Sequence, residues 1–104
     1  MAKNKIYRVE AEYQKHLIEE IYHRIDEVTI LKNDSGYLQG IPDLCILGPR
    51  GKDALLEVKL HENSPHRPNQ DYYIQRECKR GGFARFIYQE NEEEVLGDLV
   101  NWFK

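Results

Sequence analysis

The run Ile41-Pro42-Asp43-Leu44-Cys45-Ile46-Leu47-Gly48-Pro49-Arg50-Gly51-Lys52-Asp53-Ala54-Leu55-Leu56-Glu57-Val58-Lys59-Leu60 decides the fold. Two apolar segments, 41–47 and 54–60, flank a turn made of Gly, Pro and charged residues, and this pattern predicts an antiparallel hairpin. Side chains alternate across a strand, so Glu57 and Lys59 share one face while Val58 points to the other. Asp43 joins them across the hairpin when facing residue numbers have an even sum, and pairing 43 with 57 sets the two carboxylates directly opposite. A slip of one residue separates them. Residues 44–47 and 54–56 read as buried on both faces, where a charge is rarely placed without a partner or a metal.

Upstream, Tyr13, Leu17, Ile21 and Ile25 recur every four residues with Ile18 beside them, which predicts an amphipathic helix from about Val9. Glu10 falls within about 60° of Tyr13 and about 20° of Leu17 on the helical wheel, whereas Glu12 projects about 100° away from Tyr13. Glu10 is thus either an inward carboxylate that needs a cation or a charge favoured by the helix N-terminus. Residues 27–31 predict a first strand, and 33–36 a turn opening a loop that reaches Gly40 beside the candidate site.

Downstream, 61–69 lacks periodicity and predicts a loop. A helix is expected from Asn69 or Gln70 to Arg80, ended by Gly81-Gly82. Residues 83–88 predict a fourth strand. Asn91 is placed to cap a last helix whose first turn is Glu92-Glu93-Glu94 and whose apolar residues include Trp102 and Phe103, packed on the sheet or on a second subunit. The order is αβββαβα, a single α/β domain over 1–104 with a mixed central sheet flanked by helices.

A length of 104 residues suits one domain, and no apolar run approaches the roughly 20 residues that span a bilayer. With no signal-peptide core after the basic start, a cytoplasmic protein is expected. Cys45 and Cys78 lack metal-site or C-x-x-C spacing and are expected to be reduced, buried thiols. The net charge of -3 neither announces nor excludes a nucleic-acid binder, because the acids cluster at 90–94 and bound cations invert the sign of a carboxylate site.

Two carboxylates on one sheet face can hold Mg²⁺ or Mn²⁺ through oxygen ligands, with the Val58 carbonyl as a further ligand, and such an ion polarises phosphorus and lowers the pKa of its water. Lys59 would orient that water or stabilise the transition state. These residues are therefore candidates for phosphodiester hydrolysis by direct attack of water. Lys3, Lys5, Arg8, Lys15, His66 and Arg67 are candidate phosphate contacts. Tyr7, Tyr37, Tyr72 and Tyr73 are available to stack on unpaired bases.

The αβββαβα order, Gly40-Ile41-Pro42-Asp43, Glu57-Val58-Lys59 and a helix opening with Gln70 resemble the PD-(D/E)XK nuclease superfamily. Within it the chain is similar to the small stand-alone VRR-NUC nucleases of bacteria and their phages. The resemblance implies a restriction-endonuclease-like core and a divalent-metal-dependent DNA endonuclease with Asp43, Glu57 and Lys59 as its catalytic set. It also implies a carboxylate from the first helix, mapping onto Glu10 with Glu12 as the fallback, and a role for Gln70. Small members resemble Holliday-junction resolvases, so branched DNA, a homodimer and the cytoplasm of a bacterial or phage-infected cell are expected. The alternatives are a nicking, flap or restriction-like nuclease, or a non-catalytic nucleic-acid-binding module on the same fold.

Overall fold

A computed structural model describes residues 5–34 and 36–104; Lys3 and Ser35 of the candidate contacts and turn lie outside that range. The elements are α1 (Glu10–Arg24), β1 (Thr29–Lys32), β2 (Leu44–Leu47), β3 (Asp53–Val58), α2 (Gln70–Lys79), β4 (Phe83–Ile87) and α3 (Glu92–Phe103). The strands form one sheet in the order β1-β2-β3-β4. The first two joins are antiparallel, and β3 and β4 run parallel with α2 as the crossover that parallel neighbours require. The β2–β3 pairs include Leu44 with Leu56 and Leu47 with Asp53. Continued by one residue, that register sets Asp43 against Glu57, as the even-sum hairpin requires.

The pleat divides the work of the two sheet faces. On one, Leu44, Ile46, Ala54, Leu56, Val58 and Ile87 pack against Tyr13, Leu17 and Ile21 of α1 and against Val95, Leu96, Leu99 and Phe103 of α3. This is the core. The opposite face carries Leu55 and Glu57 on β3 and their β4 neighbours Ala84 and Phe86, under α2. Burial there is thinner, because α2 itself buries only Gln70 and Ile74. The expectation of two fully buried faces therefore fails on β2, where Cys45 is half-buried and Leu47 is 43% exposed.

Local chemistry corrects several boundaries. Glu27 takes a left-handed turn (φ 63°), so β1 starts only at Thr29. Ile41 and Pro42 precede β2, since Pro42 has no N–H to give to a ladder. Cys78 is exposed rather than buried, in the last turn of α2, with its thiol directed to the Ala84 carbonyl. Asn91 occupies the N-cap position of α3 without capping it. Its amide turns back instead, accepting from the Tyr88 N–H and donating to the Phe86 carbonyl. Trp102 and Phe103 pack on their own sheet: the indole N–H donates to Asp53, and the Phe103 ring fills the space beside Gly48.

Candidate active site

Asp43 is fixed at both ends. Its carbonyl accepts the Asn33 N–H (2.8 Å), extending the β1–β2 pairing by one residue. Its carboxylate Oδ2 accepts the Val58 N–H (2.9 Å) across the hairpin. Gly40 lets this segment pass close to the start of α2. It has φ +88°, and a Cβ there would lie 2.5 Å from Asn69 Cβ and 2.6 Å from the Pro68 carbonyl oxygen.

Glu57 and Lys59 end the buried run of β3, at 2% and 5% exposure. Lys59 lies just past the assigned strand but stays in its line, its N–H donating to the Ile87 carbonyl (2.9 Å). The ammonium donates to the Pro65 carbonyl (3.0 Å) in the loop before α2. Gln70, the first residue of α2, donates from Nε2 to Glu57 Oε2 (2.9 Å) and accepts the Arg67 N–H at Oε1 (2.8 Å). One amide therefore orients the carboxylate and closes the loop.

These side chains open into a cleft of ≈ 570 Å³ whose lining includes Glu10, Asp43, Glu57, Lys59, Arg67 and Gln70. Glu12 is absent from that lining and borders a separate depression with Lys5 and Lys15. Arg8 is exposed. His66 stacks on Phe86 (4.2 Å between ring centres), with its Nδ1 3.0 Å from the Asp71 carboxylate. Of the candidate phosphate contacts among the described residues, only Arg67 reaches the cleft. Tyr37 and Tyr72 are exposed, at 87% and 51%, whereas Tyr7 is bound at both backbone groups by Gln89.

Gln89 is the contributor that sequence reasoning missed. It accepts the Tyr7 N–H (2.8 Å) and donates to the Tyr7 and Leu60 carbonyls (3.1 and 2.9 Å), tying the approach to α1 to the chain just after Lys59. That tie helps bring Glu10 to the cleft. A glutamine after a strand carries no sequence signal for such a bridge. A larger depression of ≈ 780 Å³ lies beyond it, where His16 and Tyr13 both meet Glu92, Glu20 and Glu93 hold Arg24, and Gln89 is used as described.

Electrostatics mark the cleft. Burial, then the charge of Asp43, pushes the Glu57 carboxyl up to about 8. Glu10 is raised above the usual carboxylate range by partial desolvation and by Asp43, against the opposing pull of Lys59 and Arg67. Glu57 Oε1 is buried with no hydrogen-bond partner. An orphaned carboxylate oxygen among like charges is the atom a divalent cation satisfies. Among the described residues no three His, Cys, Asp or Glu side chains are gathered as a complete ligand set. An ion here would rely on Asp43 and Glu57 with backbone and water oxygens. That donor set fits Mg²⁺, which commonly takes one or two carboxylates and keeps several waters.

The four-stranded mixed sheet with this helix arrangement is a PD-(D/E)XK-like core. Solved structures share it. One, described as a VRR_NUC domain, superposes with a TM-score of 0.69 at 25% identity, over 91% of this chain and 97% of that one. A second, described as a VRR_NUC domain protein, gives 0.67 at 19% identity, over 95% and 90%. No family model matches the sequence, and no curated protein matches it significantly. The fold is that of the VRR-NUC domain.

Proposed function

We propose that the protein is a divalent-metal-dependent DNA endonuclease that resolves four-way junctions as a homodimer. The observation that carries the hydrolytic reading is the unpartnered, buried Glu57 oxygen beside Asp43 in a cleft that also holds Lys59. The VRR_NUC description of the structural neighbours supports a nuclease domain. Asp43, Glu57 and the Val58 carbonyl would hold Mg²⁺ or Mn²⁺, with Glu10 at the rim. Bound there, such an ion supplies Lewis-acid polarisation of a phosphoryl oxygen and a water of lowered pKa.

The chain's own groups do the rest. Lys59 gives one N–H to Pro65 and has two left to orient the attacking water and to donate to charge developing on the phosphoryl oxygens. Gln70 keeps Glu57 aimed into the cleft. Arg67 meets a phosphate of the bound strand. Junction resolution needs two symmetric cuts, which a two-fold dimer supplies. Leu31 and Leu47, 45% and 43% exposed on neighbouring strands, form an apolar sheet surface that a second copy can cover.

The test uses a labelled four-way junction, a flap and a linear duplex with Mg²⁺, Mn²⁺ or EDTA. Cleavage is expected only with metal and to be fastest on the junction. Asp43→Ala and Lys59→Ala should each lower the rate by about 10²-fold or more. Glu10→Gln should slow cleavage while Glu12→Gln leaves it unchanged. Cutting that survives EDTA sinks the mechanism, equal rates on all three substrates sink the junction preference, and a one-chain mass by light scattering removes the dimer.

A further inference from the structure

A second groove of ≈ 310 Å³ adjoins the cleft, lined by Ile41, Leu55, Tyr73, Arg76, Glu77 and Arg80. Ile41 lines both depressions, so they meet across one side chain. The groove has an apolar floor on the sheet and a polar wall on α2. Along that wall the Tyr72 and Tyr73 rings meet edge to face at 5.1 Å. The Arg76 guanidinium sits 5.7 Å from the centre of the Tyr72 ring and bonds its hydroxyl. Arg80 spends one N–H on Glu77 at 3.4 Å and keeps the others free for an anion. Between 67 and 80 the chain carries Arg67, Arg76, Lys79 and Arg80 against Asp71 and Glu77, so this edge is positive in a molecule of net charge -3.

We propose that this groove carries an unpaired nucleic-acid strand away from the scissile phosphate, with Arg76 and Arg80 on phosphates and Tyr73 against a base. The proposal rests on the nuclease reading of the cleft and not on the junction preference, since the arms of a four-way junction are paired and offer a free strand only where pairs at the branch point open. The apolar floor argues for a single strand, because the outside of a duplex presents phosphate and sugar, whereas an unpaired strand brings base faces that stack on aromatic side chains. The reach fits as well. From Gln70 to Arg80 the helix rises about 15 Å, long enough to run beside a few nucleotides of a strand.

The experiment is fluorescence anisotropy of a labelled single-stranded 12-mer in EDTA, across a salt series, with cleavage in Mn²⁺ scored separately. The wild-type chain should bind the strand, and unlabelled blunt duplex of the same length should displace it less well than unlabelled strand. Arg76→Ala/Arg80→Ala should weaken binding and flatten the slope of log K against log salt by about 1.4, two contacts at about 0.7 each. Arg76→Lys/Arg80→Lys should restore most of that slope. Tyr73→Leu, which keeps apolar bulk, should weaken binding roughly tenfold with the slope unchanged. No binding by the wild type, an unchanged slope in the double alanine variant, or equal competition by duplex overturns the groove. A chain that binds in this way and does not cut sinks the nuclease reading alone. A chain that cuts with the double variant binding normally sinks the groove alone.

Discussion

Glu57 concentrates the conflict on which the site depends. One carboxylate oxygen accepts from Gln70, the other is buried with no donor facing it, and Asp43, near enough to share the Glu57 proton, adds a like charge once that proton leaves. The metal-free folded chain therefore retains the Glu57 proton up to about pH 8, whereas a free glutamate releases it near 4.5. Across that window the folded state binds more protons than the unfolded one, so Glu57 makes stability fall as pH rises. In EDTA, Tm should drop from pH 5 to pH 8 by more in the wild type than in Glu57→Gln. Mg²⁺ should recover the wild-type Tm at pH 8 and leave the variant unmoved. Parallel pH curves for the two proteins, measured by circular dichroism, would remove Glu57 as the source. The juxtaposition of Asp43, Glu57 and Lys59 was legible in the sequence because alternation and an even register suffice to predict it. The Pro65 carbonyl that receives Lys59 was not, since it comes from an aperiodic loop whose path depends on tertiary contacts.

Among the elements, α2 shows most plainly what local sequence specifies. The Gly82 N–H bonds the Glu77 carbonyl and the Gly81 N–H bonds that of Cys78, both at 3.0 Å, a Schellman ending that Gly81-Gly82 announces. Gly81 has φ +90° and open space where a Cβ would stand, so Gly81→Ala should cost only the conformational penalty, about 1 kcal/mol. Gly40→Ala meets the same penalty and also the Pro68–Asn69 backbone, and it should displace the residues that open α2. Urea titration should rank Gly40→Ala clearly below Gly81→Ala, and only Gly40→Ala should lower cleavage per folded molecule. Equal effects would deny Gly40 its role at the cleft. Helix α1 was equally readable, as the four-residue spacing of Tyr13, Leu17 and Ile21 matches the side chains buried at 0% exposure. The strand ends were not: a left-handed Glu27 and the retracted Asn91 side chain are settled by backbone accounting rather than by propensity.

At the scale of the whole molecule, one core layer supports the fold, and α3 closes it at the end of the hairpin remote from the chemistry. Phe103 is 4% exposed, and its ring occupies the space where a Cβ on Gly48 would fall, 2.3 Å away. The carbonyls at the end of α3 are held by cations from the same turn: Arg50 donates to Phe103 (2.7 Å) and Lys52 to Trp102 (2.9 Å), with the Lys52 ammonium 4.6 Å from the indole centre. Phe103→Ala removes the ring from between α3 and the turn and should cost about 3–5 kcal/mol. That is a large share of the roughly 5–15 kcal/mol that holds a domain together. The hairpin separates this loss from the site. Asp43 and Glu57 lie at its open end, about five residues or roughly 17 Å along the strand from Gly48, and the groups that hold their carboxylates, the Val58 N–H and the Gln70 amide, come from β3 and α2 rather than from α3. Phe103→Ala should therefore show a much lower urea midpoint with an unchanged m-value, while cleavage per folded molecule at low temperature stays within about twofold of wild type. A loss of activity exceeding the loss of folded protein would mean that the two ends of the hairpin are coupled through the single core.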